Sequence, residues 1–278
     1  MSMDHASSVS SRKWILLGPA SARVPAALGV VQADATRRDK LLAEMQRFRG
    51  RVYLEDGAIR HRHLTDGRHR AEEDERSWHL LAVDQADRVC GCVRHHICAE
   101  ETDFSQLNVS RSSLASSAEW GKKLELAVES ELALSRRLNL PCVEIGGWAL
   151  APEVRGTTMA IRMALAMYSL SQELGGSIGI STATRRHCSA SILRRIGGRS
   201  FEHAGEEVPA YKDPQFECEM ELLRFYSWAP NPRYAVWIKA IRDELRTIPV
   251  LAGGSQNPVA VSSDDLHWPG LLASAASA

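Results

Sequence analysis

The chain has 278 residues, 44% of them hydrophobic and 24% charged, which is ordinary for a globular protein and long enough for one large domain with extensions. Its 34 basic side chains balance 34 acidic ones, so the net charge provides no electrostatic footprint for nucleic acid or an anionic membrane. No apolar run reaches the roughly 18 residues of a membrane span, and the start of the chain lacks the apolar core of a secretory signal, which predicts a cytoplasmic protein.

The first part of the chain predicts a polar terminus, a strand and a helix. Residues 1–12 are Ser-rich and are predicted to be disordered, whereas the apolar run Lys13–Leu17 predicts a short strand. From Thr36, the predicted N-cap, apolar side chains recur on one helical face as far as Val52. Residues 54–75 are strongly polar and hold no apolar period, which predicts a long loop of the kind that often carries function.

The remainder of the chain predicts one sheet with helices packed on it. Apolar alternation and helical spacing mark the elements, and Gly, Pro and Asn interrupt them. The predicted elements are a hairpin (78–83 and 88–98), helices (119–138, 159–174, 184–196 and 230–246) and strands (142–150, 177–182 and two within 199–227). The helix 159–174 is apolar nearly all round, so it should be buried on more than one side. This order predicts the α/β fold class.

The stretch Cys142–Leu174 carries the strongest functional signal. Its strand is apolar apart from Glu144, and the pair Gly146-Gly147 indicates a bulge or a close approach by another backbone. After Pro152, small residues open the following helix at 155–158. Because the first N–H groups of a helix have no internal partner and the dipole favours negative charge, this turn predicts an anion site.

Glu144 is the candidate general base. A buried carboxylate needs a partner or a raised pKa, and either arrangement suits a group that takes a proton from an amine, directly or through water. A structural glutamate paired with a nearby arginine is the alternative. Backbone N–H groups after Trp148, at Ala149 and Leu150, would polarise a reacting carbonyl.

Two sets of residues carry a resemblance to a known superfamily. Arg155 to Ala160 fit the pyrophosphate-binding pattern Gln/Arg-x-x-Gly-x-Gly/Ala at the Arg and the Ala, with Thr158 where Gly is expected. The second set is Arg49-x-x-Val52-Tyr53, Asp74-x-x-Ser77-x-His79, Gly91-x-x-Arg94 and Glu144-Ile145-x-x-Trp148-Ala149-Leu150. Over residues 37–226 the chain resembles the GNAT acyltransferase superfamily, and within it the branch of acyl-homoserine-lactone synthases and long-chain N-acyl amino acid synthases.

The resemblance implies a fold and an activity. The fold would be a single GNAT-like domain (13–230) with a mixed, mostly antiparallel central sheet, then a C-terminal helix (231–250) and a flexible tail (251–278). The activity would be an N-acyltransferase that moves an acyl group from acyl carrier protein or coenzyme A to the amine of an amino acid or similar small molecule. The lactone synthases carry an arginine where this chain has Gly147, so a general N-acyltransferase is expected.

The resemblance also implies roles for named residues. Glu144 would be the base, with Ala149 and Leu150 completing the catalytic set. The phosphate of the donor would bind at Arg155, Gly156, Thr157, Thr158, Met159 and Ala160. Arg49, Asp74 and Arg94 would position the acceptor and the loop at residues 54–75, called the acidic loop below, or would form a salt-bridge network that holds this loop over the sheet. Positioning is itself a catalytic contribution. Acyl-CoA or acyl-phosphopantetheine would be a co-substrate, with no permanently bound cofactor and no nucleic-acid partner.

Three further hypotheses concern a metal centre and two alternative functions. Its histidines and cysteines show neither CxxC nor HExxH spacing, so no metal centre is expected. Many GNAT enzymes use a tyrosine on their fourth helix as the acid for the leaving thiolate; the helix at 184–196 has none, which favours a non-catalytic module that binds an acyl carrier or a small ligand. An ordinary small-amine N-acetyltransferase is the other alternative, and a blocked groove beside the sheet would favour it over a long-chain enzyme.

Overall fold

The computed structural model of the chain describes residues 12–20, 24–214 and 216–253, which fold around one ten-stranded sheet. The strands are β1 (Lys13–Leu17), β2 (Val30–Ala33), β3 (Trp78–Val83), β4 (Val89–Ile97), β5 (Cys142–Leu150), β6 (Ile178–Thr184), β7 (Arg199–Ser200), β8 (Glu202–His203), β9 (Glu206–Glu207), β10 (Tyr211–Asp213), β11 (Cys218–Tyr226) and β12 (Pro249–Ala252). The α-helices are α1 (Ala35–Glu55), α2 (Gly121–Arg137), α3 (Thr158–Glu173), α4 (Ser189–Arg195) and α5 (Ala235–Leu245).

The sheet is mixed and mostly antiparallel. Its strands lie in the order β10-β11-β6-β5-β4-β3-β1-β12-β2, and β7 pairs with β11. The parallel pairs among the described strands are β5 with β6, β1 with β12 and β12 with β2. The fold class expected from the sequence, a single α/β sheet flanked by helices, is confirmed.

The helices cover both faces of the sheet. The side chains of α3 are buried nearly all round the helix because the sheet lies on one side and α5 on the other. Ser169 Oγ donates to the backbone oxygen of Ile238, 3.0 Å away, and so ties the two helices together. The expectation that this apolar helix is buried on more than one side is thus confirmed. Within the described ranges, no helix combines the length and the apolar character that a membrane crossing requires.

The starts of helices α1 and α4 differ from the prediction for identifiable reasons. Helix α1 is capped by Asp34, whose carboxylate accepts the Arg37 N–H at 2.9 Å, so the expected N-cap at Thr36 is wrong. The helix predicted from residue 184 is shorter, because Thr184 completes β6 and α4 starts only at Ser189. The turn between them has a left-handed backbone, with φ of 56° and 61° at consecutive residues, which a continuous helix cannot accommodate.

The C-terminal elements also differ from the prediction. The helix expected at 231–250 spans Ala235–Leu245, and the next segment returns as β12 in parallel between β1 and β2. Residues 251 and 252 therefore belong to the sheet and not to a tail. The rest of the predicted tail from 254, and the predicted disordered terminus up to residue 11, lie outside the described residues.

Candidate active site

The sheet splits between β5 and β6. Their parallel register ends at Glu144 opposite Ile180. Beyond it, the described pairing joins the rest of β5 to β4 and the rest of β6 to β11. Backbone groups on the two facing edges thus have no ladder partner across the split, and they are available to a ligand that enters in an extended conformation.

A bulge in β5 accompanies the split. Cys92 lies opposite Ala149 and Arg94 opposite Gly146, so the β5 residues between them oppose a single β4 residue. Gly147 has φ of 62°, and a Cβ there would lie 3.1 Å from Arg49 Nη1 and 3.3 Å from Arg94 Cβ. The bulge expected from the glycine pair is present, and the structure leaves no room for an arginine side chain at Gly147 without displacing those neighbours.

A cavity of about 680 Å³ occupies the split and is lined from both faces of the sheet. Neighbouring residues of β4 show which helices lie on each face. Arg94 contacts the acidic loop next to α1, whereas the ring of His95 lies 2.9 Å from Ser171 Oγ on α3. Glu144 and Asn108 line the cavity on the first face, and Ala164 and Tyr168 line it on the α3 face. The cavity therefore joins a polar end to a largely apolar end.

Glu144 lies at the polar end with its carboxylate held by one residue. Asn108 donates its backbone N–H to Oε1 at 2.9 Å and its Nδ2 to Oε2 at 3.0 Å. Burial raises the pKa of Glu144, whose residue is 8% exposed, although the Asn108 donors and the nearby Arg94 oppose that rise. No arginine among the described residues forms an ion pair with it. Its environment is that of a carboxyl with raised proton affinity, which is what a base near neutral pH requires.

Arg49 and Asp74 form a buried, bidentate ion pair. Arg49 Nη1 and Nη2 lie 3.0 and 2.6 Å from the Asp74 carboxylate, which also accepts Gln46 Nε2 and the Ala71 N–H, each at 3.0 Å. Burial alone would raise the pKa of Asp74, but the Arg49 guanidinium holds it well below its usual range. This network holds the acidic loop over the sheet. Arg49 lines the cavity, whereas Asp74 lies behind it.

Arg94 connects this network to Glu144 through two residues for which the sequence predicts no role. Its Nη1 lies 3.0 Å from Glu73 Oε2, and Asn108 Nδ2 reaches Glu73 Oε1 at 3.4 Å and Glu144 at 3.0 Å. Glu73 and Asn108 lie in loops without periodicity; the only sequence signal was that Glu73 precedes Asp74. The three predicted positioning residues are thus close together, and two unpredicted residues join them to the predicted base.

The amides of Ala149 and Leu150 point in opposite directions. Ala151 N–H donates to the backbone oxygen of Cys90 on β4 at 2.9 Å. Because alternate residues of an antiparallel strand face opposite neighbours, the Ala149 amide also faces β4 and the Leu150 amide faces the split. Arg155 Nε binds the Leu150 carbonyl oxygen at 3.0 Å from that open side. Leu150 is therefore the one of the pair whose N–H is directed at a ligand in the split.

The predicted donor-binding turn is only partly at the cavity. Arg155, Gly156 and Ala160 line it, whereas Thr157, Thr158 and Met159 do not. The Arg155 guanidinium is bound to both oxygens of Asp56 at 2.7 and 2.8 Å, so it is not a free cation. Thr157 is the N-cap of α3, and its hydroxyl accepts the Met159 amide at 3.2 Å. Gly156 has φ of 74° and open space beside it, so backbone and not side chain faces a ligand there.

Two further observations concern metals and acids. Among residues 12–20, 24–214 and 216–253, no three His, Cys, Asp or Glu side chains are arranged to hold a metal ion. The described part of α4 carries no tyrosine, but Tyr168 on α3 lines the cavity. Its buried hydroxyl has no hydrogen-bond partner among the residues that the structure describes, and burial raises the pKa of that phenol. A tyrosine is thus present on a neighbouring helix, where the sequence predicted only core packing.

No family model and no curated protein sequence matches the chain. Its structure is similar to that of BjaI, a CoA-dependent acyl-homoserine lactone synthase solved with SAM and isopentyl-CoA, with a TM-score of 0.51, 12% identity and coverage of 89% of this chain and 96% of BjaI. It is also similar to the structure of TofI, solved with an inhibitor and MTA, with a TM-score of 0.51 and 14% identity; the match covers 82% of this chain and 99% of TofI. For FeeM, an N-acyl amino acid synthase from uncultured soil microbes, the TM-score is 0.46 and the identity 10%, and the match covers 78% of this chain and 92% of FeeM.

The fold is similar to that of BjaI and TofI, and the similarity spans most of each chain. The GNAT-like fold implied by the resemblance is confirmed. At identities of this size the similarity is one of fold, and the activity of this chain has to be argued from its own site.

Proposed function

We propose that the protein is an N-acyltransferase that moves an acyl group from a thioester donor to the amine of an amino acid or similar small molecule. The split sheet supports this proposal most directly. It places Glu144, a carboxyl with raised pKa, at the polar end of a cavity whose other end is largely apolar. Aminolysis of a thioester needs a base beside the amine and a holder for the acyl group, and the two ends of the cavity supply one each.

In the proposed reaction the amine nitrogen attacks the thioester carbonyl and a C–N bond forms. The proton of the amine passes to Glu144, directly or through water, and the carbonyl oxygen becomes an oxyanion to which the Leu150 N–H donates. Collapse of this intermediate breaks the C–S bond and releases the thiolate. The proton from Glu144 then returns through solvent to the thiolate, so the products are an amide and a free thiol. Asn108 orients the carboxylate throughout.

The turn before α3 is the proposed holder of the donor's phosphate. Gly156 and Ala160 line the cavity, and the start of α3 presents backbone amides with a favourable dipole. Arg155 contributes by fixing the turn against Asp56 and the Leu150 carbonyl, since its donors are already engaged. An extended pantetheine arm would bind the unpaired edges of β5 and β6 as an added strand does.

The apolar wall of the cavity favours a long acyl group over acetyl. The volume of the cavity, about 680 Å³, falls within the ~300–1,000 Å³ of sites for drug-sized ligands. The walls on the α3 side include Ala164, Met167, Ile196 and Phe225, which suit a hydrocarbon chain. An apolar wall of this extent is expected of a long-chain enzyme and not of an ordinary N-acetyltransferase.

The test is release of free thiol by purified protein from acyl-CoA and acyl carrier protein donors of increasing chain length, with a panel of amines. We expect turnover with a long-chain donor and a loss of ~10²–10⁴-fold in kcat/KM for Glu144→Gln. Glu119→Gln, an exposed glutamate outside the cavity, is the matched control and should leave the rate unchanged. Donor binding by calorimetry without thiol release from any donor would favour the non-catalytic module and overturn the proposal.

A further inference from the structure

The arginines that line the cavity already have oxygen partners in the protein. For the described residues the pairs are Arg49 with Asp74, Arg94 with Glu73, Arg111 with Glu72, Arg155 with Asp56, and Arg186 with the backbone oxygen of Asp56. No lysine is found among the described lining residues. His69 at the polar end is neutral near pH 7, because burial and Arg49 lower its pKa to about 4. Of the described lining arginines, Arg186 bonds only backbone oxygens, those of Asp56, Phe216 and Glu217, so its charge has no carboxylate partner. The arginines of the polar end are, by contrast, each paired with a carboxylate.

The polar end carries an excess of negative charge instead. Arg94 is shared by Glu73 at 3.0 Å and Asp74 at 3.8 Å, and Asp74 is also held by Arg49. Glu144 is bound only by the neutral Asn108, so its ionised form has no cation of its own. Glu73 and Glu144 are bridged by one amide nitrogen, which places both carboxylates beside the same space. An ammonium group is attracted to such a space, and a carboxylate is repelled.

Arg94 retains donors that a ligand can use. Its Nε is buried and has no partner in the described part of the chain, and its Nη2 lies over Gly146 on the cavity wall. These donors suit a neutral oxygen, such as an amide carbonyl or a hydroxyl, because Glu73 already balances the guanidinium charge. A carboxylate at the same position would lie beside both Glu73 and Glu144.

We propose that the acceptor is a primary amine without a carboxylate next to its nitrogen. The inference rests on the proposed acyltransferase function and narrows it: of the acceptors considered, free amino acids are disfavoured, and simple amines or amines with a neutral polar neighbour are preferred. An amino acid would bring a carboxylate to a polar end where each described arginine is already paired with a carboxylate, whereas an amine without that group would not.

The test compares acceptors that differ only in the carboxylate. Leucine, leucinamide and 3-methylbutylamine form one matched set, and phenylalanine, phenylalaninamide and 2-phenylethylamine form another. We expect the amine and the amide to exceed the free amino acid at least tenfold in kcat/KM. Comparable or better turnover of the amino acids would overturn the inference. The amides retain the size of the amino acids, so they separate the effect of charge from that of bulk.

Calorimetric binding of the same compounds distinguishes the two proposals. If no compound supports thiol release, the proposed function fails, but tighter binding of amines than of amino acids still supports the inference about the site. Equal affinities for the amines and the amino acids would overturn the inference, whether or not the protein catalyses thiol release.

A charge-neutral variant tests the cause of the preference. Glu73→Gln keeps a side chain that can accept from Asn108 while freeing the Arg94 charge. We expect the preference for amine over amino acid to fall about tenfold. Glu75→Gln is the matched control on the same loop, because Glu75 pairs with Arg38, which does not line the cavity. An unchanged preference in a folded Glu73→Gln protein would refute the electrostatic cause, and the comparison on the unmodified protein does not depend on this variant folding.

Discussion

Asn108 gives Glu144 two hydrogen bonds from one residue, and only one of them depends on its side chain. Both bonds favour the ionised carboxylate and so oppose the rise in pKa that burial causes. The proton affinity of the proposed base therefore reflects a competition between burial, which raises the pKa, and Asn108 together with Arg94, which lower it. This competition can be shifted without removing the carboxylate.

We expect Asn108→Ala to raise the pKa of Glu144. The variant loses the Nδ2 donor at 3.0 Å and keeps the backbone donor at 2.9 Å, so the neutral acid becomes more favourable. A base must be ionised to act, so the acidic limb of the kcat/KM profile should move to higher pH. Ser110→Ala is the control, because the Ser110 hydroxyl bonds backbone oxygens of its own segment. An unshifted limb would show that Asn108 does not tune the base.

Two glycines with left-handed backbone provide a matched test of the bulge. Gly147 and Gly156 have φ of 62° and 74°, but a Cβ meets Arg49 and Arg94 at the first and open space at the second. Gly156→Ala should cost only the backbone strain, ~1 kcal/mol, whereas Gly147→Ala should cost more, ~2–3 kcal/mol. Urea unfolding measures both. Equal losses of unfolding free energy in the two variants would show that Arg49 moves away from the added methyl group at no cost.

At the scale of secondary-structure elements, strands and helices with clear periodicity were predictable, and contacts between loops were not. The predicted strand 142–150 has the observed bounds of β5, because a continuous apolar run ends there at Pro152. The predicted length of helix α4 is too great because the apolar pattern does not indicate the left-handed turn at His187 and Cys188. Glu73 and Asn108 are 35 residues apart in sequence and meet only after folding, so no local pattern indicates that they join Glu144.

Helix α3 forms one wall of the cavity, and a small residue there gives the acyl chain its space. Ala164 is buried and lines the cavity on the α3 face. We expect Ala164→Leu to reduce kcat/KM for long-chain donors at least tenfold relative to short-chain donors, because the added carbons occupy the volume of the acyl chain. The short-chain donor in the same variant is the internal control for folding. A parallel loss for all chain lengths would mean that the acyl group does not lie along α3.

On the scale of the whole molecule, buried histidines link stability to pH. His79 on β3 and His95 on β4 are each 1% exposed, and burial lowers the pKa of each to about 4. In the unfolded chain their pKa is ~6.5, so between pH 6.5 and 4 the unfolded state binds protons that the folded state does not. Stability should therefore be nearly constant above pH 7 and should fall as the pH drops towards 4.

The expected loss between pH 7.5 and pH 5 is on the order of 2 kcal/mol for each of the two histidines, because one pKa unit corresponds to ~1.4 kcal/mol. Urea unfolding at the two pH values measures it. His95→Gln should remove the share of the dependence that belongs to His95, on the order of 2 kcal/mol, although it also replaces the 2.9 Å bond to Ser171 and so lowers stability at both pH values. His61→Gln, at an exposed position, should leave the dependence unchanged. Unfolding free energies that agree at pH 7.5 and pH 5 would contradict this account, because two neutral imidazoles kept from solvent by the fold must cost stability once solvent can protonate them in the unfolded chain.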